Sequence, residues 1–210
     1  MIIKNSLFCK IIRIKTSSKS LFDTYMKQFR LELETCPICG NTGSCHIHDY
    51  YDRAIIDFRD GKKQKESLCV MRVFCESCGH AHAILPDIII PYSSYSLLFI
   101  LFILGEYFAG LYTIEQLCER FEVSEKQFYK WLNLWNSHRK QWFGMLEASE
   151  TDNISFFRTI ILHNHYSAFS REFLDLTAHS FLQSHRNPCL SGSKNAHYRQ
   201  SVFAPDISIL

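Results

Sequence analysis

Cys36-Pro37-Ile38-Cys39-Gly40 and Cys75-Glu76-Ser77-Cys78-Gly79 are two copies of one pattern, C-x-x-C-G, with 35 residues between Cys39 and Cys75. Two cysteines separated by two residues in a tight turn can aim both sulfurs at one point. The glycine that follows takes the positive φ that lets backbone amides face those sulfurs. Two such turns complete a tetrahedral set of four sulfurs. The spacing predicts one structural zinc ion (Zn2+) held by Cys36, Cys39, Cys75 and Cys78, in a closed site with no open position for catalysis. A redox C-x-x-C would need a single motif on a βαβ unit, which the flanking sequence lacks. His46, His48, His80 and His82 stand close to the two turns. With four thiolates filling the site, these histidines are expected at the surface or behind the ligands.

The long spacer has its own pattern. Tyr50–Phe58 carries Ile55, Ile56 and Phe58, and Arg59-Asp60-Gly61-Lys62 is a turn signal, since Asp-Gly suits positive-φ hairpin geometry. Leu68, Val70, Arg72 and Phe74 then recur at every second residue, with Val73 on the other side. An extended β-hairpin over residues 50–74 is the expectation, its far end delivering the chain to Cys75. Upstream, residues 1–35 read as a short apolar segment, a polar break at Thr16–Ser20, and a helix whose Leu21, Tyr25, Phe29 and Leu33 share one face. Downstream, Pro86 and Pro91 bracket a short apolar linker, Asp87–Ile90.

From residue 92 the period changes to that of helices. Leu97–Phe108 is expected as one helix ending near Gly110, Thr113–Phe121 as a second, and Glu125–Phe143 as a third. Residues 154–184 are expected to be helical as well, and the tail from Asn187, with Pro188, Gly192 and Pro205, to be irregular. The most apolar run, Leu97–Leu104, is eight residues long, whereas a membrane span needs about 20, so it reads as a buried core helix. The expected organisation is an N-terminal helical segment (1–33), a zinc ribbon (34–85), a helical region (92–148) and a helical extension with an irregular tail (149–210). The fold class is α+β, a small β zinc ribbon followed by an all-α region.

Composition bounds the function less sharply. The net charge is +2, which is not the strongly basic balance of many nucleic-acid binders. Residues 1–35 carry a local excess of four positive charges, while the remainder is near balance, so any contact with DNA must come from patches such as Lys62, Lys63 and Lys65. Lys4, Lys10, Arg13 and Lys15 break the N-terminal apolar runs, and no signal peptide is read there. A cytoplasmic chain with reduced thiols is expected. Cys9, Cys45, Cys69, Cys118 and Cys189 are then free, mostly small core residues.

Two capping-box sequences, Thr113-Ile-Glu-Gln116 and Ser124-Glu-Lys-Gln127, start successive helices eleven residues apart. The link Phe121-Glu122-Val123 is short. Ile114, Leu117, Cys118, Val123, Phe128, Trp131 and Leu132 would face a common core. This is a helix-turn-helix layout with Glu125–Asn136 as recognition helix. Lys126, Gln127, Tyr129, Lys130 and Asn133 would be exposed to phosphates and base edges, as would Glu125. Glu122 departs from the glycine favoured at such a turn.

The order C-P-x-C-G, hairpin, Arg72-Val-Phe-Cys75-Glu-Ser-Cys78-Gly79, then Leu85–Ser96 and a helix-turn-helix resembles the N-terminal region of bacterial insertion-sequence transposases. It is more similar still to uncharacterised bacterial proteins that pair a zinc ribbon with a helix-turn-helix. The resemblance covers about residues 34–143. It implies DNA recognition without strand transfer, because residues 144–210 are too few for the catalytic fold that holds the three carboxylates of those transposases. The expected protein is a non-enzymatic, zinc-dependent DNA-binding protein related to mobile elements. The expected partner is double-stranded DNA, with no membrane and with homo-oligomerisation left open. A compact or truncated transposase or nuclease and a zinc-ribbon protein-interaction adaptor are the alternatives.

Overall fold

The computed structural model describes residues 10–11, 19–59, 62–86, 89–161, 166–177 and 179–184. The elements run β1 (Lys10–Ile11), α1 (Lys19–Lys27), a 3-10 turn (Leu31–Leu33), β2 (Cys45–Arg59), β3 (Lys62–Cys75), β4 (His80–Ala83), β5 (Leu85–Pro86), α2 (Leu97–Phe108), α3 (Ile114–Phe121), α4 (Glu125–Met145), α5 (Asn153–Ile161) and α6 (Tyr166–Thr177). The class is α+β, as the sequence predicts. Asp60 and Gly61, read as the hairpin turn, lie outside the described residues, as do Asp87, Cys9, Cys189 and the tail from Asn187.

The hairpin is longer than expected. β2 and β3 pair antiparallel from Cys45↔Cys75 to Arg59↔Lys62, with one irregularity between Ile47 and Asp49. β4 adds an antiparallel third strand beside the β3 end, and β5 pairs in parallel with β1. Arg72 and Asp49 face each other across the ladder as an ion pair.

Two buried clusters flank the hairpin. Phe22, Leu68, Val70, Val73, Ile84 and Ile89 form a small core under β3. A larger one is built from α2, α3, α4 and the residues that follow, around Phe99, Leu104, Phe121, Phe128, Trp131 and Trp135. The hairpin touches both, with Tyr51 and Ile55 against the first and Ile56 and Phe58 against the second. Polar bonds fasten it to the helical part. The Ile56 amide donates to the Ser94 carbonyl at 2.7 Å, the Ser96 amide donates to the Ile56 carbonyl at 2.9 Å, and Arg53 Nη2 donates to the carbonyls of Ile90 and Ser93, each at 2.8 Å.

The α1 region corrects one expectation. Phe29 and Leu33 do not continue its helical face: α1 ends at Lys27, and Leu33 sits in the 3-10 turn with 65% of its surface exposed. Beyond it, Thr35 and Thr42 bridge just outside the first cysteine turn. In the C-terminal part, the stretch expected to be helical, 154–184, contains α5 and α6, with Phe181 and Leu182 buried beyond them. No helix among the described residues is long and apolar enough to cross a membrane. α2 is instead a core helix, with Leu97, Phe99, Ile100, Leu101, Ile103 and Leu104 buried.

Candidate metal centre and nucleic-acid face

The hairpin ladder brings the two C-x-x-C turns together. β2 begins at Cys45, just after the first turn, and its register partner Cys75 opens the second. Both turns have the same backbone. The Gly40 amide donates to the Cys36 carbonyl and the Gly79 amide to the Cys75 carbonyl, both at 2.9 Å, with φ of +73° and +70° at the two glycines. No atom crowds the place of a Cβ at either, so conformation rather than space calls for glycine there.

The sulfurs of Cys36, Cys39, Cys75 and Cys78 all lie within 4.8 Å of one another. Two cross-turn pairs, Cys36–Cys78 and Cys39–Cys75, are 3.7 Å apart. That is too far for a disulfide. A tetrahedron of thiolates around an ion with metal–sulfur bonds of about 2.3 Å has edges of about 3.8 Å, so the four sulfurs fit such an ion. In each turn the first cysteine, Cys36 or Cys75, is buried, and the second is more open.

Burial pushes the Cys36 and Cys78 thiols up, Cys78 to about 12. Burial also opposes the Cys75 thiolate, but the Cys78 amide and the neighbouring thiols outweigh it and bring Cys75 down to about 6. A bound cation deprotonates its sulfur ligands, so it would offset the burial that disfavours the Cys36 and Cys78 thiolates. The arrangement is a four-cysteine site able to hold one metal ion.

The four nearby histidines separate. His82, on β4, is 4% exposed, and its Nε2 lies 3.5 Å from Cys36 Sγ. Burial, then His80, lowers its pKa, so it stays neutral. His80 Nδ1 is 2.8 Å from the Cys78 carbonyl. His46 reaches Glu76 at 3.2 Å, and His48 packs its ring beside Phe74.

The helix-turn-helix has equally definite geometry. At the start of α3 the capping box is complete: Thr113 Oγ1 accepts from the Gln116 amide at 3.2 Å and Gln116 Oε1 from the Thr113 amide at 2.9 Å. At the start of α4 only the first half forms, Ser124 Oγ accepting from the Gln127 amide at 3.3 Å. Between them Glu122 is left-handed, φ 48° and ψ 50°. The Val123 amide donates to the Cys118 carbonyl at 3.0 Å and the Glu122 amide to Glu119 at 3.3 Å, a Schellman turn closed by buried Val123.

On α4, Phe128, Trp131 and Trp135 are buried, whereas Lys126, Tyr129, Lys130 and Asn133 are exposed and Gln127 is half-buried. On the hairpin, Lys62 and Lys65 are exposed. Lys63 is not: its ammonium donates to the Glu122 carboxylate at 2.9 Å and to the Glu122 carbonyl at 3.1 Å. The sequence grouped Lys63 with its neighbours and showed Glu122 as an anomaly; nothing local joined two residues 59 positions apart.

Residues 36–127 match the model of a family described as a domain of unknown function (DUF6431). The match opens on the first metal-site cysteine and closes in the first turn of α4, so it spans the four cysteines and the helix-turn-helix bend. No curated protein and no solved structure matches the chain.

Proposed function

We propose that this chain is a zinc-dependent DNA-binding protein that reads duplex DNA with α4 and is related to the DNA-recognition region of transposases. The observation that carries the reading is the exposed polar face of α4, with Lys126, Tyr129, Lys130 and Asn133, set behind a capped helix and a Schellman turn and opposite the buried Phe128, Trp131 and Trp135. Lysines on that face would hold phosphates while Gln127, Tyr129 and Asn133 meet base edges. Zinc is the ion that four cysteine sulfurs in closed tetrahedral form favour, and there it would fix the ribbon and do no chemistry.

No catalytic role is proposed. Of the C-terminal carboxylates, Asp152 accepts from the Ser155 hydroxyl at 2.6 Å and from the amides that open α5, and Glu150 pairs with Arg139 at 3.6 Å. Both have structural partners. An adaptor for another protein is the second reading, favoured by exposed Glu115, Glu119, Glu122 and Glu125 beside the same face. Zinc content by metal analysis, with DNA titration at two salt concentrations, tests the proposal. It expects about one zinc per chain and binding that weakens with salt. Full zinc with no binding at low salt would leave the adaptor reading in its place.

A further inference from the structure

Phe58 and Lys63 are register partners at the end of the hairpin, and Phe121 and Glu122 are consecutive at the bend between α3 and α4. The two pairs meet. The Phe58 ring stacks on Phe102 of α2 at 4.2 Å between centroids and meets Phe121 edge-on at 5.9 Å, while Lys63 binds both the carboxylate and the carbonyl of Glu122. Glu122 is the one left-handed residue in the bend that aims α4.

A left-handed conformation is costly for a non-glycine residue. The Glu122 side chain is 81% exposed, and an ion pair with so exposed a partner contributes little stability. What Lys63 supplies is geometry. It holds the hairpin end against the residue that sets the direction of α4. Lys62 and Lys65 therefore sit on a strand that meets the bend just before Lys126 and Lys130.

Resting on the DNA-binding reading above, we infer that the hairpin end is a second DNA-contacting element, with Lys62 and Lys65 on phosphates, and that Lys63 is a positioning residue that locks it to the recognition helix and touches no DNA. A phosphate contact and a strut differ in one observable. Neutralising a phosphate releases counterions and steepens the salt dependence, whereas a strut acts by pre-organisation and leaves that slope alone.

The test compares Lys63→Met, Lys63→Arg and Lys65→Met in the full zinc-loaded chain, by DNA titration across salt and by hydrogen exchange. Lys65→Met should shallow the slope of log affinity against log salt by about one unit. Lys63→Met should weaken binding by no more than about fivefold, the worth of one exposed ion pair, because Phe58, Ile56 and Arg53 still fasten the hairpin, with the slope unchanged. It should also speed exchange both at the β2 end and at Phe121–Glu125, and Lys63→Arg should restore both. A slope change in Lys63→Met equal to that of Lys65→Met would overturn the inference, as would unchanged exchange at either segment. If the wild-type chain binds no DNA, the DNA-binding reading and the phosphate role of the hairpin fall together, and the exchange arm alone decides whether Lys63 locks the two elements.

Discussion

His82 Nε2 stands 3.5 Å from Cys36 Sγ, and both residues are almost completely shielded from solvent. In its Nε2–H tautomer the imidazole donates to the sulfur, stabilising negative charge there and fixing the side chain of one ligand. His82→Ala should keep one zinc per chain but weaken its hold by about 10–100-fold, as loss of such supporting bonds does. Competition with a chromogenic chelator measures it. An unchanged affinity would show that the contact is packing alone.

The ligand assignment predicts an uneven response among the cysteines. Cys36→Ser and Cys78→Ser should lose the metal and unfold the ribbon, because the free energy of binding is part of the free energy of folding there. Cys69→Ser, at an exposed position on β3, should retain it, and so should Cys45→Ser. Metal analysis with far-ultraviolet circular dichroism separates the two groups. Full zinc in the Cys36 and Cys78 variants would sink the assignment.

On α4 two kinds of variant should behave differently. Lys130→Ala should weaken binding to all sequences and shallow the salt slope by about one unit. Gln127→Ala should instead flatten preference among sequences, since a good base contact gives about 1–3 kcal/mol of discrimination. Both should keep zinc and helix content. Trp131→Ala removes a side chain only 2% exposed and should cost about 3–5 kcal/mol in urea unfolding, abolishing binding through the fold. Anisotropy titrations against several duplexes distinguish the three.

His138 gives a pH dependence with a definite sign. It is buried against Phe173 and His179, and its Nδ1 accepts from the Leu182 amide at 3.0 Å, so the neutral ring is the one that fits. Burial first, then His179, lowers its pKa from 6.5 to about 4. Its stability term is complete above pH 6.5. As pH falls, the unfolded chain takes up a proton that the folded chain refuses, and the term is lost by the time pH reaches about 4, an expected loss of about 3 kcal/mol. His138→Phe should remove this slope, at a cost of about 1–3 kcal/mol at neutral pH for the orphaned Leu182 amide. Urea midpoints at a series of pH values decide; a slope that survives in His138→Phe belongs to another group.

The parts legible in the sequence were those with local causes. The C-x-x-C-G spacing foretold two glycines at positive φ, the alternation from Leu68 to Phe74 foretold β3, and Thr113 with Gln116 foretold a helix start. α2 runs from Leu97 to Phe108 as read, since Gly110 at φ +68° stops it. Distant pairings were not legible. Nothing near Lys10 names Leu85 as its strand partner, and nothing near His138 names the Leu182 amide. A repeat of four also carried Phe29 and Leu33 onto a helix that ends at Lys27, because a periodic pattern does not register where the chain must turn toward a site.

The hairpin also sets an order of assembly. Had the chain between Cys39 and Cys75 been a loose loop, bringing those two sulfurs together would cost about 3 kcal/mol in chain entropy, the figure for some 36 residues. A ladder that starts from the short Arg59↔Lys62 end spreads that cost over many small steps, each offset by a new rung. The sulfurs meet only when the final rung, Cys45↔Cys75, has closed. Metal capture should then be a late event that holds closed a ladder unable to stay closed without it, and the rate at which the chain acquires zinc should follow both the strength of the strands and the supply of the ion.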